Sequence, residues 1–187
     1  MPTEYFEDFA THPWVQTLLS DSTIIKSPLS SRAPDPAEGV SNSFFATTLH
    51  TKRAVRAYIS CSRPDPNASS SDTEPPAHEN YIIVSVGDGL DGADGRLHGG
   101  FSAALLDQVM GGCAVMCNNM GSSPATKEMY VRFRKPVATP GVILARATVE
   151  KVEGKRTWVK GWVEDGMGTV YAEGKATFVR VGAVEKL

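Results

Sequence analysis

The stretch from Arg96 to Cys117 constrains the fold of this chain most strongly. It opens with a histidine and two glycines, His98-Gly99-Gly100, and continues through residues that are apolar on nearly every helical face. Such a segment is typical of a helix surrounded by other structure rather than one lying on a surface. Asp107 is the exception, because a carboxylate about two turns into an apolar helix is costly to desolvate. It therefore needs either access to solvent or a function.

The residues alone leave two interpretations of Asp107. With Gln108 it would mark a thin solvated edge of an ordinary core helix, or it would be a reactive carboxylate. The glycine-rich start of the helix favours the second interpretation. Free backbone N–H groups and the positive end of the helix dipole at Gly99 and Gly100 are suited to hold a developing negative charge on oxygen.

The spacing of these residues resembles a family signature. His98-Gly99-Gly100 followed by Leu105-Leu106-Asp107 is similar to the signature of the hotdog-fold thioesterases, in the branch of small acyl-CoA thioesterases related to the phenylacetate-pathway enzymes and the 4-hydroxybenzoyl-CoA thioesterase superfamily. The resemblance runs from about Tyr81 to Val181. It implies an α+β hotdog fold, in which an antiparallel β-sheet wraps around one long central helix.

Hydrolysis of a thioester needs mainly a stabiliser for the oxyanion and a group that delivers oxygen, because the thiolate leaves readily. The Gly99 N–H is our candidate for the first role. Asp107 would fill the second role, either as a general base that activates water or as a nucleophile that forms a mixed anhydride. His98 would position the loop or the thioester carbonyl, and a capping or packing histidine is the alternative.

The resemblance implies further site features. In the family, a Ser or Thr at the start of the strand after the helix helps to hold the attacking water. Thr126 matches that position, and a threonine at the edge of a strand without a catalytic role is the alternative.

The family site combines residues from two subunits, so we expect a homodimer or a dimer of dimers. Family members also carry an Asn six residues before the histidine, where this chain has Gly92. That departure keeps open a weak or differently directed hydrolase, or a non-catalytic acyl-binding protein.

Basic residues after the helix are candidates for binding the substrate. Arg132, Arg134 and Lys135 would meet the phosphates of coenzyme A, and a solvated outer sheet face is the alternative. Gly100 is a further candidate contact. The predicted function is hydrolysis of acyl-CoA thioesters to the free acid and CoA. A thioesterase acting on carrier-protein-bound acyl or polyketide chains is the alternative, because the fold alone does not choose between them.

The rest of the chain divides into an N-terminal extension, residues 1–40, and a hotdog domain, residues 41–187, with a mobile loop at 62–79. In the extension, Pro13–Ser20 is expected to form a helix that Trp14 anchors to the core. Gly161 and Gly174 are expected to allow a close backbone approach. Strands are predicted over residues 53–61, 81–86, 127–135, 142–152, 157–163 and 170–181.

Two patterns that often indicate bound groups are rejected. Cys113 and Cys117 lie one helical turn apart among apolar neighbours, so we expect buried thiols and no metal. Gly87–Gly92 matches G-x-G-x-x-G, but another loop follows it rather than the helix that a dinucleotide site needs. No cofactor is expected.

Charge and hydropathy limit the partners and the location. A net charge of −2 with 21% charged residues gives no general attraction to nucleic acid or to an anionic membrane. The acidic start lacks the features of a secretory signal, and no apolar run reaches membrane-spanning length. We therefore expect a cytoplasmic protein, with a peroxisomal or mitochondrial location left open; Glu185-Lys186-Leu187 only loosely resembles a peroxisomal address.

Overall fold

The computed structural model describes residues 4–26, 42–64, 78–117 and 124–180. Its helices are α1 (Glu7–Ala10), α2 (Pro13–Ser20) and α3 (Gly99–Cys117), with a π-helical turn at Phe44–Thr48 and a 3-10 turn at Asp88–Leu90. Its strands are β1 (Ile25–Lys26), β2 (Val55–Pro64), β3 (His78–Val86), β4 (Asp91–Ala93), β5 (Arg96–Leu97), β6 (Ala125–Phe133), β7 (Gly141–Glu153), β8 (Arg156–Glu164) and β9 (Val170–Val179). Within these four ranges, no helix is both long and apolar enough to cross a membrane.

Seven strands form one antiparallel sheet in the order β1-β2-β3-β7-β8-β9-β6, and α3 packs on one of its faces. Strands β4 and β5 form a separate small hairpin that leads directly into α3. The predicted antiparallel sheet with one long helix is therefore confirmed. Because β6 follows α3 in the chain yet pairs only with β9, it occupies one end of the sheet.

The loop between β2 and β3 is shorter than predicted. Strand β2 runs to Pro64 and β3 begins at His78, so both ends of the predicted 62–79 loop belong to the sheet. Residues 65–77 lie outside the described residues, as do residues 1–3 and 27–40 of the predicted N-terminal extension. The β4–β5 hairpin was not predicted, because strands of three and two residues carry almost no periodic signal.

A pair of glycines sets how closely α3 approaches the sheet. Gly161 and Gly174 lie directly opposite each other on β8 and β9. A Cβ atom at Gly161 would lie 2.9 Å from Cγ of Met110, and one at Gly174 would lie 3.3 Å from its Cε. Met110 therefore fills the space that two side chains would otherwise take, and the predicted close approach is confirmed.

The sheet covers only one side of α3. Leu105, Leu106 and Val109 are fully buried against it, whereas Ala103 and Asp107 on the opposite side are half-buried. Although the helix is apolar nearly all round, a single-layered sheet leaves its second face open in one chain.

The N-terminal helices form a second layer on the other face of the sheet. Val15 of α2 is fully buried against Ile83 and Leu144, and Trp14 and Leu18 pack at the margin of the same cluster. The Trp14 ring also lies against Gly166 in the β8–β9 turn, where φ is +71° and a side chain would collide with the ring. The predicted helix Pro13–Ser20 and the anchoring role of Trp14 are both confirmed.

The Asp8 carboxylate in α1 connects the N-terminal helices to the sheet through hydrogen bonds. Both oxygens of Asp8 accept hydrogen bonds from Arg56, Oδ2 from Nε at 2.7 Å and Oδ1 from Nη2 at 3.1 Å, and Oδ2 also accepts one from the Ser85 hydroxyl. The Arg56 bonds are the main reason that the pKa of Asp8 is lowered. Hydrogen bonds to ionised, partly buried groups are stronger than those between neutral groups.

We expect Asp8→Ala to lower the free energy of unfolding at pH 7 by about 1–3 kcal/mol, because Arg56 and Ser85 lose their shared acceptor. Since the folded-state pKa is depressed, this contribution is complete above the ordinary pKa of 3.8 and is lost as pH falls through the folded-state value. Urea unfolding from pH 7 down to acid pH measures it. Glu7→Ala, an exposed neighbour in α1, is the control; equal unfolding energies for wild type and Asp8→Ala at pH 7 would contradict this account.

Candidate active site

The start of α3 is held by the hairpin before it and by a histidine cap. The His98 N–H donates to the carbonyl of Leu90 at 2.8 Å, and the His98 carbonyl accepts from Phe101 N–H at 3.0 Å. The His98 side chain turns back over the helix, where its Nδ1 accepts a hydrogen bond from the Gly100 N–H at 2.9 Å. A neutral ring with Nδ1 as acceptor carries its proton on Nε2, so Nε2–H remains to donate to a ligand.

The two glycine N–H groups at this helix start differ. The Gly100 N–H is engaged by His98, which leaves this predicted substrate contact without a free donor. The Gly99 N–H has no acceptor anywhere in the described ranges. A Cβ atom at Gly99 would lie 3.3 Å from the Phe133 ring, so that ring covers the turn closely. Gly99 therefore offers the open donor of the pair, at the positive end of the helix dipole.

Gly92 lies against His98, and this explains why a side chain is absent there. A Cβ atom at Gly92 would lie 3.0 Å from both Cα and Cδ2 of His98, closer than an ordinary contact. The neighbouring carboxylate of Asp91 does not replace the missing family Asn. Its oxygens accept hydrogen bonds from the Thr139 hydroxyl and, at 3.0 Å, from the Gly95 N–H. Asp91 thus holds the hairpin turn.

Asp107 and Thr126 are brought together. The Thr126 hydroxyl donates to Oδ1 of the half-buried Asp107 at 2.7 Å. Among the described residues, no other group donates to this carboxylate, so Oδ2 is open to a water molecule or a substrate. A β-bulge between Thr126 and Glu128 allows Thr126 to face α3 together with Met129, three residues later.

Asp107 and Gly99 are not brought together within one chain. They are eight residues apart on the same helix, and a rise of 1.5 Å per residue separates them by about 12 Å along its axis. A base or nucleophile and an oxyanion donor must each lie about 3 Å from one reacting group. The candidate residues therefore lie in two separate groups within one chain: His98 with Gly99, and Asp107 with Thr126.

A cleft of about 310 Å³ lies beside Gly99. Its polar and aromatic wall includes Arg96, Ser102, Phe133, Arg134, Lys135 and Tyr171. Arg134 also pairs with Glu173 at 2.6 Å.

Of the basic residues predicted to bind substrate, Arg134 and Lys135 line this cleft and Arg132 does not. The Arg132 guanidinium donates a hydrogen bond to the Tyr130 hydroxyl, and this bond is the main reason that the pKa of Arg132 is raised. The sequence analysis did not identify Arg96 and Tyr171 as cleft residues. Its basic candidates came from the first strand after the helix, and neither Arg96 nor Tyr171 lies in that strand. Phe133 is 57% exposed, and its ring covers Gly99 at the start of α3.

Metal and dinucleotide binding have no support in the described residues. No group of three His, Cys, Asp or Glu side chains in the described ranges could hold a metal ion. Cys113 is buried and donates its thiol hydrogen to the His78 carbonyl at 3.3 Å, as expected for a structural thiol; the side chain of Cys117 lies outside the described residues. The glycines of Gly87–Gly92 lead into a 3-10 turn and a hairpin rather than a helix.

The chain matches the family model of the thioesterase superfamily over residues 94–172. It is 27% identical over 93 residues to the acyl-coenzyme A thioesterase THEM4 of Bos taurus, covering 49% of this chain but only 37% of that relative. It is 28% identical to verlamelin biosynthesis protein B of a Lecanicillium species, covering 75% of this chain and 73% of that protein. The chain thus spans well under half the length of the mammalian relative.

Solved structures show the same fold. A phenylacetic acid degradation-related protein of Ralstonia eutropha superposes with a TM-score of 0.51 and 24% identity, covering 55% of this chain and 76% of that one. Together with the sheet order and the position of α3, this likeness confirms the predicted hotdog fold.

The hydrogen bond from the Gly100 N–H to Nδ1 of His98 is expected to stabilise the start of α3. We expect His98→Ala to lower the free energy of unfolding by about 1 kcal/mol, because the Gly100 N–H loses its acceptor. His98→Asn should retain most of the wild-type value, since Asn is a good capping residue. Urea unfolding of the three proteins measures this. Equal losses in both variants would show that the imidazole does not cap α3.

Proposed function

We propose that the protein hydrolyses acyl-CoA thioesters to the free acid and CoA, because residues 94–172 match the family model of the thioesterase superfamily. The observation that carries the proposal is the Thr126–Asp107 hydrogen bond. It holds a carboxylate with one open oxygen on the half-covered face of α3. An apolar helix that displays an oriented carboxylate there is suited to act on a bound ligand.

The Gly99 N–H is proposed to hold the carbonyl oxygen as it becomes an oxyanion, with Nε2–H of His98 as a neighbouring donor. Asp107 then takes a proton from water as the water oxygen bonds to the carbonyl carbon. The C–S bond breaks and the sulfur leaves as the CoA thiolate. In the nucleophilic alternative, Asp107 bonds to the carbonyl carbon first and water cleaves the mixed anhydride.

Two copies of the chain are proposed to complete each site. The separation of about 12 Å between Gly99 and Asp107 prevents one chain from supplying both groups to one thioester. The half-covered face of α3 and the end strand β6 offer surfaces that a second copy would cover. On β6, Tyr130 is 61% and Phe133 57% exposed, and an end strand has unpaired backbone groups along its outer edge. A homodimer arranged about a two-fold axis would form two sites.

The cleft beside Gly99 is proposed to receive the coenzyme A arm. Arg96 and Lys135 border it and have no ion-pair partner among the described residues, so they are available for phosphate groups. Phe133 and Tyr171 supply an apolar wall for the uncharged part of the arm. The name of the bovine relative specifies an acyl-coenzyme A thioesterase, which supports the same substrate class.

We expect purified protein to release free thiol from at least one member of a panel of acyl-CoA substrates, and Asp107→Asn to lower kcat by about 10²- to 10⁴-fold. The amide keeps the shape of the side chain but neither accepts a proton at neutral pH nor attacks a carbonyl. A thiol-reactive dye measures the release, and circular dichroism checks the fold.

Glu128→Gln is the matched control, because it removes a carboxylate from the same strand as Thr126. The Glu128 carboxylate accepts a hydrogen bond from the Thr177 hydroxyl instead of a residue of the site. It should leave kcat unchanged. Full turnover by folded Asp107→Asn would contradict the mechanism. Turnover of carrier-bound thioesters without turnover of CoA thioesters would contradict the substrate class.

A further inference from the structure

Ser102 is a buried polar residue in the first turn of α3 that the proposed mechanism does not use. The residue is only 5% exposed, yet it lines the same cleft as Gly99. Its backbone N–H lies 3.4 Å from the His98 carbonyl. Its hydroxyl has no hydrogen-bond partner within the described part of the chain.

Buried polar side chains of this chain differ in this respect. Ser60 and Ser62 are also buried and their hydroxyls have no hydrogen-bond partner among the described residues, but neither lines the cleft. The Ser85 hydroxyl donates to Asp8, and the side-chain amide of Asn80 donates to the Val109 carbonyl at 3.2 Å. A buried polar group without a hydrogen-bond partner is unfavourable. Among the described residues, Nε2 of His50 and Nδ1 of His78 are the fully enclosed side-chain atoms in that position, so the Ser102 hydroxyl keeps access to the cleft. Since Ser102 lines a cleft, a ligand in that cleft would supply the missing partner.

Helix geometry directs the Ser102 hydroxyl toward Gly99. Every Cα–Cβ bond in an α-helix tilts toward the N-terminal end, so a side chain covers the turn before its own Cα. Ser102 is three residues after Gly99 and lies on the same side of the helix. The hydroxyl and the Gly99 N–H therefore face one space, at the positive end of the helix dipole.

At Asp91 and Gly92, the hairpin before α3 supplies no side-chain donor. Gly92 stands where related enzymes carry the Asn that contacts the substrate carbonyl, and His98 occupies the room that a side chain there would need. Asp91 is engaged with Thr139 and Gly95. Beside the Gly99 N–H and the Nε2–H of His98, a further side-chain donor to the carbonyl would have to come from α3 itself.

We infer that the Ser102 hydroxyl donates a hydrogen bond to the thioester carbonyl oxygen beside the Gly99 N–H, in the role that Gly92 leaves unfilled. The inference rests on the proposed thioesterase function. The hydroxyl keeps its proton throughout, and its bond strengthens as charge develops on the oxygen. Ser102 then acts chiefly on kcat.

The test compares wild type with Ser102→Ala and Ser102→Cys, using the acyl-CoA that wild type cleaves fastest. We expect Ser102→Ala to lower kcat by about 10²-fold with little change in KM. Ser102→Cys, with a weaker donor, should fall between the two. An acyl-CoA analogue in which CH₂ replaces the carbonyl should bind equally to wild type and Ser102→Ala, because it has no oxygen for the hydroxyl to hold. Ser60→Ala, a buried serine of β2 away from the cleft, should leave kcat unchanged.

Each alternative outcome is decisive. Wild-type kcat in Ser102→Ala would overturn the role of Ser102 and leave the thioesterase proposal standing. Weaker binding of the carbonyl-free analogue, with a lower unfolding temperature, would assign Ser102 a structural role, such as bonding to the His98 carbonyl one turn earlier. Absence of turnover by wild type with every thioester would overturn the proposed function and this inference with it.

Discussion

The rise of the α-helix separates Gly99 from Asp107 by about 12 Å, so one chain cannot bring both residues to the same reacting group. Both residues have the surroundings expected of reactive groups. The Gly99 N–H, at a helix start, has no acceptor in the part of the chain that the structure describes, and the Asp107 carboxylate is oriented by the Thr126 hydroxyl. Because α3 is a continuous helix, no side-chain movement brings the two together. In the proposed mechanism, one chain therefore carries two halves of a site, and a second chain would complete the site at the open face of α3.

The rest of the fold positions these halves. Gly161 and Gly174 let Met110 sit against the sheet and fix the depth of α3. The bulge in β6 turns Thr126 toward the helix, so that a strand at the end of the sheet contributes to a site on α3. The N-terminal helices pack on the opposite face of the sheet, which leaves the α3 side free.

Local patterns in the sequence predicted the elements well. The apolar run after His98, the alternating strands and the turn residues gave the helix and six main strands to within a few residues, and α2 to the residue. Properties that arise between elements were not predictable. Three such properties are the bulge that orients Thr126, the hydrogen bonds of Asp91 and the burial of Ser102. Each depends on which segments meet in space, and the periodicity of the sequence carries no information about those contacts. The helix pattern likewise indicated burial all round, although the sheet covers one face only.

The most direct measurement is activity in mixed dimers of two inactive variants. Asp107→Asn removes the base, and Gly99→Pro removes the open N–H at a helix position where proline is tolerated. If each site takes Gly99 from one chain and Asp107 from the other, every mixed dimer has one intact site, and random mixing of equal amounts restores about a quarter of the wild-type sites. Recovery of thioesterase activity on co-expression, with both variants inactive alone, is the predicted result. Mixed dimers that form but remain inactive would contradict a site shared between chains.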